Sequence, residues 1–435
     1  VACQQRFFGH RADDAVLPAF AVLASWNGAS GESRLQDHRS GEQRPASHAK
    51  RRLPRILLYS HDTMGLGHLR RNLLIARALA GSELHASVLL ATGSHAIGRF
   101  PIPAGVDVLV LPGFAKSPLG TYRARHLDLE ARELARLRAR LLKAAFDGYA
   151  PDLLLVDKAP RGVLGELDPV LTAARASGTT RCVLGLRDIL DTPEAVRREW
   201  HDERHLATVL SSYDAVWVYG DPAVYDLGRH SGFGPEFRAR LQFTGYLGPA
   251  RIDEPVDAES ASVSSGPGYD ADSGLTEIRP TPADPPFDLC LVGGGEDGHA
   301  LACAFVLSEP PPGVRSFLIT GPLMPRTQIE ALRALAAERP AVRLIEFTPE
   351  PQPLMRAARC LVTMGGYNTL NEALDLSCPL LVVPRTQPRR EQLIRAQRLA
   401  ELGLVRMLHP DGLTPESISR WRADPSRAQR PALRR

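Results

Sequence analysis

The feature that most constrains the fold is a repeated alternation that starts twice along the chain. Short apolar runs are each followed by a turn and then by a segment with helical periodicity. The first series opens with RILLYS (55–60), then HDTMGLGH (61–68), then LRRNLLIARALA (69–80). Apolar runs of this length, bounded by turns, suit strands buried on both faces. Further runs follow at SVLLAT (87–92), VDVLVL (106–111), DLLLVD (152–157), RCVLGLRD (181–188) and DAVWVYG (214–220). Helical patterns lie between most of them, including a charged segment at 125–147. Thr192-Pro193 and Asp221-Pro222 each read as a capping residue followed by proline at the first helical position. Strands alternating with helices predict a doubly wound, mostly parallel sheet.

Residues 251–286 break the alternation. They are rich in Ser, Pro, Gly and Asp, lack apolar periodicity, and read as a linker or disordered loop. The alternation then restarts with DLCLVGG (288–294), RSFLIT (315–320), VRLIEF (342–347), CLVTMGG (360–366) and PLLVVP (379–384). Helices are expected at 326–338, 367–377 and 389–402. The expectation is therefore two Rossmann-like domains, 53–250 and 287–419, facing a central cleft. Ligands of such sheets bind outside the carboxyl ends of the strands. Residues 1–52 are polar and aperiodic and read as a disordered extension, and 420–435 as a basic tail. Asp13 and Asp14 before the apolar run at 15–26, and Pro18 within it, argue against a signal peptide.

The net charge of +4 does not point to a nucleic-acid partner, because of where it sits. Residues 1–52 carry +3, 420–435 carry +5 and 251–286 carry −6, which leaves the two domains close to neutral. No interleaving of basic and aromatic residues marks a nucleic-acid face. The six cysteines form no CxxC pair, so they read as reduced thiols of a cytoplasmic protein. His61 and His68 lack further ligand spacing, so no metal site is assigned.

Four turns carry the candidate chemistry. Gly65-Leu66-Gly67-His68 follows the first strand and opens a helix, where free N–H groups favour an anion and a neutral imidazole can take a proton. It reads equally as a tight turn with a hydrogen-bonded histidine. Gly293-Gly294-Gly295-Glu296-Asp297-Gly298 has the form of a phosphate turn, but its two acids either point away or imply a divalent cation. In Met364-Gly365-Gly366-Tyr367-Asn368-Thr369-Leu370-Asn371-Glu372, Asn368 or Thr369 is expected to cap a helix. Glu372, one turn in, either accepts ribose hydroxyls or complements the helix dipole. Arg390-Glu391-Gln392 either hydrogen-bonds a polar ligand or is a charged helix start. Asp157, Lys158, Arg187 and Asp188 end first-domain strands as weaker candidates.

Together these residues resemble a two-domain glycosyltransferase of the GT-B type, and most closely the MurG-like family, glycosyltransferase family 28. The resemblance spans about 55–410 and is stronger in the second half, where Gly365-Gly366, Thr369 and Glu372 match the donor motif in order and spacing. It implies that Glu372 holds the nucleotide ribose and Gln392 with Arg390 and Glu391 the donor sugar, with Asn368 and the adjoining glycines also on the donor side. Gly294 and Gly295 would lie near the diphosphate, and Phe347-Thr348 near the uracil. It implies a UDP-sugar donor, a sugar or lipid-linked acceptor, no required cofactor, and inversion by single displacement. His68, or alternatively Asp62 or Asp157, would be the base. A lipid-linked acceptor would bring peripheral contact with the inner face of the membrane. Gly65, Gly67, His68 and Arg71 also satisfy GxGHxxR, a pattern resembling UDP-sugar hydrolases, in which the histidine activates water. A non-catalytic nucleotide-sugar-binding protein is a further alternative.

Overall fold

The computed structural model describes residues 52–61, 66–116, 121–247, 284–348, 350–376 and 378–425. The expectations for 1–51, Asp62, Gly65 and most of 251–286 therefore lie outside the described residues. The described residues divide into two compact units, one ending at Leu247 and one beyond it.

The first unit contains strands β1 (Arg55–Ser60), β2 (Ser87–Thr92), β3 (Val106–Val110), β4 (Phe114–Lys116), β5 (Tyr122–Ala124), β6 (Leu153–Asp157), β7 (Arg181–Arg187), β8 (Ala215–Tyr219) and β9 (Leu241–Phe243). Seven of them form one sheet in the order β3-β2-β1-β6-β7-β8-β9, with every pairing parallel. The central strands are buried because their side chains are apolar on both faces. Ile56, Leu57, Leu58, Leu153, Leu154, Leu155 and Val156 are all essentially inaccessible. Strands β4 and β5 form a separate antiparallel hairpin.

The second unit holds β10 (Phe287–Leu291), β11 (Arg315–Ile319), β12 (Val342–Ile345), β13 (Cys360–Thr363), β14 (Leu380–Val382) and β15 (Arg406–Met407). Its sheet order is β12-β11-β10-β13-β14-β15, again all parallel. Each sheet grows outward in one direction and then restarts on the other side of its first strand. The strand order thus reverses between β1 and β6 in one unit and between β10 and β13 in the other. A doubly wound sheet leaves a crevice at the carboxyl ends of such a strand pair.

One local expectation is met and two are corrected. Thr192 does cap the helix Pro193–Asp202, accepting from the Ala195 N–H at 3.3 Å. Asp221, by contrast, closes a turn by accepting from the Ala223 N–H at 2.7 Å. The next helix starts only at Leu227, because Asp226 takes the capping role. The stretch read as a basic tail from 420 begins inside the helix Pro415–Ala423, which has a Thr414–Ser417 capping box. That helix packs Ile418 into the core of the second unit. Arg422, fully buried, donates to Asp288 at 2.7 Å, to Ser308 Oγ at 2.8 Å and to Ser316 Oγ at 2.7 Å.

Candidate functional site

In the first unit the crevice between β1 and β6 gathers three of the expected residues. His68 is the second residue of the helix Gly67–Gly81, Arg71 lies one turn further along it, and Asp157 ends β6. His68 Nδ1 lies 2.5 Å from Asp157 Oδ2. Arg71 donates to Asp157 Oδ1 from Nη2 at 2.6 Å and from Nε at 3.2 Å. Arg71 Nη2 also lies 2.7 Å from His68 Nδ1. One ring nitrogen cannot both donate to the carboxylate and accept from the guanidinium. The shorter, charge-assisted contact assigns the proton to Nδ1, donated to Asp157. The lone pair is then on Nε2.

The electrostatics agree with that tautomer. Burial pushes the His68 imidazole down to about 3, with Arg71 and Lys158 acting in the same sense and Asp157 opposing. The ring is therefore neutral at neutral pH and able to accept a proton. For Asp157, burial works upward. The Arg71 guanidinium and His68 overcome it and hold the carboxyl well below the usual carboxylate range. Both oxygens of the carboxylate are engaged, one by His68 and one by Arg71. Asp157, expected as an alternative base, is the hydrogen-bond partner of the His68 ring.

His61, at the end of β1, was passed over for metal binding but belongs to this cluster. Its ring meets that of His68 edge-on at 5.9 Å. Burial, with the Lys158 charge, lowers its pKa well below the ordinary imidazole value. Its buried Nδ1 has no hydrogen-bond partner among the described residues.

In the second unit the expected donor residues line one edge of the sheet. Gly294 and Gly295 follow β10, Phe347 and Thr348 follow β12, Gly365 and Gly366 follow β13, and the segment at 385–392 follows β14. Two glycines are required by close approach. Gly295 has φ +96°, and a Cβ there would lie 2.3 Å from the Thr320 carbonyl oxygen. A Cβ on Gly365 would lie 2.8 Å from both the Cβ and the carbonyl oxygen of Gln392. That contact is part of a latch. Gln392 Oε1 accepts from the backbone N–H groups of Gly365 and Arg385, each at 3.1 Å. Arg395 donates to the Gly365 carbonyl at 3.0 Å with its guanidinium over the Tyr367 ring. The loops after β13 and β14 are thereby tied together, and only the amide nitrogen of Gln392 remains for a ligand.

The helix Tyr367–Asp375 has Gly366 at its N-cap and no side-chain cap bond, so Asn368 and Thr369 lie inside the helix. This corrects their expected capping role, which falls to Gly366. Glu372 is buried within that helix. Phe347 and Thr348 are half-buried, and Arg390 is exposed. Glu391 is buried and accepts from Arg385 Nη2 at 2.5 Å, while Asp297 accepts from Arg385 Nη1 at 2.8 Å. Arg385 escaped the sequence reading, although its place directly after PLLVVP was a usable signal. Among the described residues no cluster of three or more His, Cys, Asp or Glu is placed to hold a metal ion. Nor is any helix there long and apolar enough to cross a membrane.

Two parallel, doubly wound units in one chain define the GT-B fold. The solved kitacinnamycin glycotransferase shares it, with a TM-score of 0.52 and 16% identity over 88% of this chain and 92% of that one. The spinosyn forosaminyltransferase SpnP does so too, with a TM-score of 0.52 and 17% identity over 87% and 93%. Residues 306–421 match the glycosyltransferase family 28 C-terminal domain. Among curated proteins, the UDP-N-acetylglucosamine--N-acetylmuramyl-(pentapeptide) pyrophosphoryl-undecaprenol N-acetylglucosamine transferase of Shouchella clausii is 38% identical over 17% of this chain and 22% of its own length. An uncharacterized glycosyltransferase of Methanosarcina acetivorans is 24% identical over 46% of this chain and 45% of its own length. The chain thus spans less than half the length of these relatives.

Proposed function

We propose that the chain is an inverting glycosyltransferase that moves a hexose or N-acetylhexosamine from a UDP-sugar to an acceptor hydroxyl. The observation that carries this reading is the His68–Asp157–Arg71 cluster, which orients a neutral imidazole with Nε2 as its basic atom. In the reaction the acceptor oxygen forms a bond to the anomeric carbon and its proton passes to His68 Nε2. The bond from that carbon to the phosphate oxygen breaks, and UDP leaves with the electron pair. Backbone N–H groups after β10 and at the start of the helix Tyr367–Asp375 would stabilise the departing diphosphate. Glu372 would hold the ribose, Phe347-Thr348 the uracil and the amide nitrogen of Gln392 the sugar. UDP as the nucleotide is supported by the likeness to the UDP-N-acetylglucosamine-using transferase of Shouchella clausii. The acceptor is a sugar or a lipid-linked sugar, met at the cytoplasmic face of the membrane in the lipid-linked case.

A second reading is favoured by Arg71. It completes the GxGHxxR pattern and pairs with Asp157, an arrangement that suits activation of water as well as of a hydroxyl. UDP release from a UDP-sugar, measured with and without candidate acceptors, separates the two. The transferase reading expects slow release that rises when an acceptor hydroxyl is supplied. Full-rate release without any acceptor favours the hydrolase.

A further inference from the structure

Asp297 carries a charge that a diphosphate site should avoid. It stands on the glycine-rich turn after β10, where a carboxylate repels the phosphates that turn would cradle. Its partner is Arg385, on the loop after β14, 2.8 Å away. The other arm of Arg385 is held by the buried Glu391. The buried Nε–H of Arg385 has no acceptor among the described residues. A guanidinium offers five N–H donors in a planar fork suited to carboxylate or phosphate. One edge of this fork is fixed by Glu391. A second arm ends on Asp297, and Nε–H adds an unused donor.

The two carboxylates differ in how firmly they are held. Glu391 is 3% exposed, whereas Asp297 is 39% exposed. An ion pair with one solvated partner contributes little to stability and is readily exchanged. The diphosphate of a nucleotide sugar carries two negative charges against the one of a carboxylate, and its oxygens make charge-assisted bonds to the same fork. We infer that Asp297 is a placeholder anion. In the donor-free protein it occupies the Arg385 arm that binds the diphosphate of the nucleotide sugar, and it withdraws when the donor enters. Glu391 stays and orients the guanidinium. This deepens the donor assignment proposed above and rests on it. It also accounts for Asp297 in a glycine-rich turn expected near phosphate, without calling on a cation.

Calorimetric titrations of UDP and of uridine into the full chain test the inference. Asp297→Asn removes the competing anion and is expected to tighten UDP binding roughly two- to five-fold, the scale of an exposed ion pair. Arg385→Gln is expected to weaken UDP about ten-fold through loss of charge-assisted bonds. Uridine, which lacks the diphosphate, should bind both variants as it binds the native chain, and this reports an intact pocket. In the double variant Asp297→Asn should bring no gain. UDP affinity unchanged or lowered in Asp297→Asn, with uridine binding kept, overturns the inference and makes the pair a structural tie between loops. If the native chain binds neither UDP nor uridine, the donor assignment itself fails and the placeholder with it.

Discussion

Replacing His68 by alanine is expected to lower turnover of a UDP-sugar by about 10²–10⁴-fold, the usual contribution of a positioned general base. UDP affinity should not change, because the donor residues belong to the other unit. The effect should therefore fall on kcat and not on nucleotide binding. Asp157→Asn should cost much of the same rate, because an amide no longer fixes the Nδ1–H tautomer. The pH profile supplies a second check with a definite sign. A base works in its deprotonated form, so activity is present above its pKa and is lost as pH falls through it. Burial lowers His68 to about 3, so kcat/KM should stay level from neutral pH down to about pH 5. An acid limb falling near pH 6.5, or turnover undiminished in His68→Ala, contradicts the base assignment.

Arg422→Ala is expected to destabilise the second unit by about 3 kcal/mol, because it leaves Asp288 buried with part of its charge uncompensated. Asp288 would keep Arg359, which donates to both of its oxygens at 2.8 and 2.9 Å. It would lose the 2.7 Å bond from Arg422 Nε. Ser308 and Ser316 would lose their donor as well, and Phe305 the guanidinium packed 4.8 Å from its ring centre. Lysine should restore only part of the loss, since one ammonium cannot reach three separated acceptors in the geometry of a planar fork. Thermal unfolding of the intact chain reads this directly. An unchanged midpoint would mean that Arg422 is solvated.

Arg422 also shows where sequence reasoning stops. Six arginines against the single Asp424 within 420–435 read as a basic tail. The partner, Asp288, lies 134 residues away, on the first strand of the second sheet. The sheet strands were legible for the opposite reason. A strand buried on both faces needs a continuous apolar run, and RILLYS matches β1 residue for residue. Strands β9 and β15 were not legible, since they are three and two residues long and carry no such run. Nor was the hairpin of β4 and β5, whose strands have three residues each.

The candidate site divides in the same way. Glycine turns after strands announce themselves, because positive φ at Gly295 and close approach at Gly295 and Gly365 exclude other residues. Pairings across the fold do not. His68 and Asp157 both read as candidate bases, but only the fold brings them together, at 2.5 Å. Asn368 and Thr369 had the right chemistry for a cap. Backbone geometry placed that position at Gly366. Arg385 joins Asp297 and Glu391 across 88 and 6 positions, a relation that no local pattern encodes.

The central claim is that the second unit holds a uridine nucleotide through Glu372 and the turns after β10 and β13. The most direct measurement is a calorimetric screen of UDP and UDP-sugars against the intact chain and its Glu372→Ala variant. Saturable binding of UDP and at least one UDP-hexose is expected, weakened about ten-fold or more in the variant by loss of a charged acceptor to the ribose hydroxyls. Failure of the intact chain to bind any UDP-sugar would contradict the account.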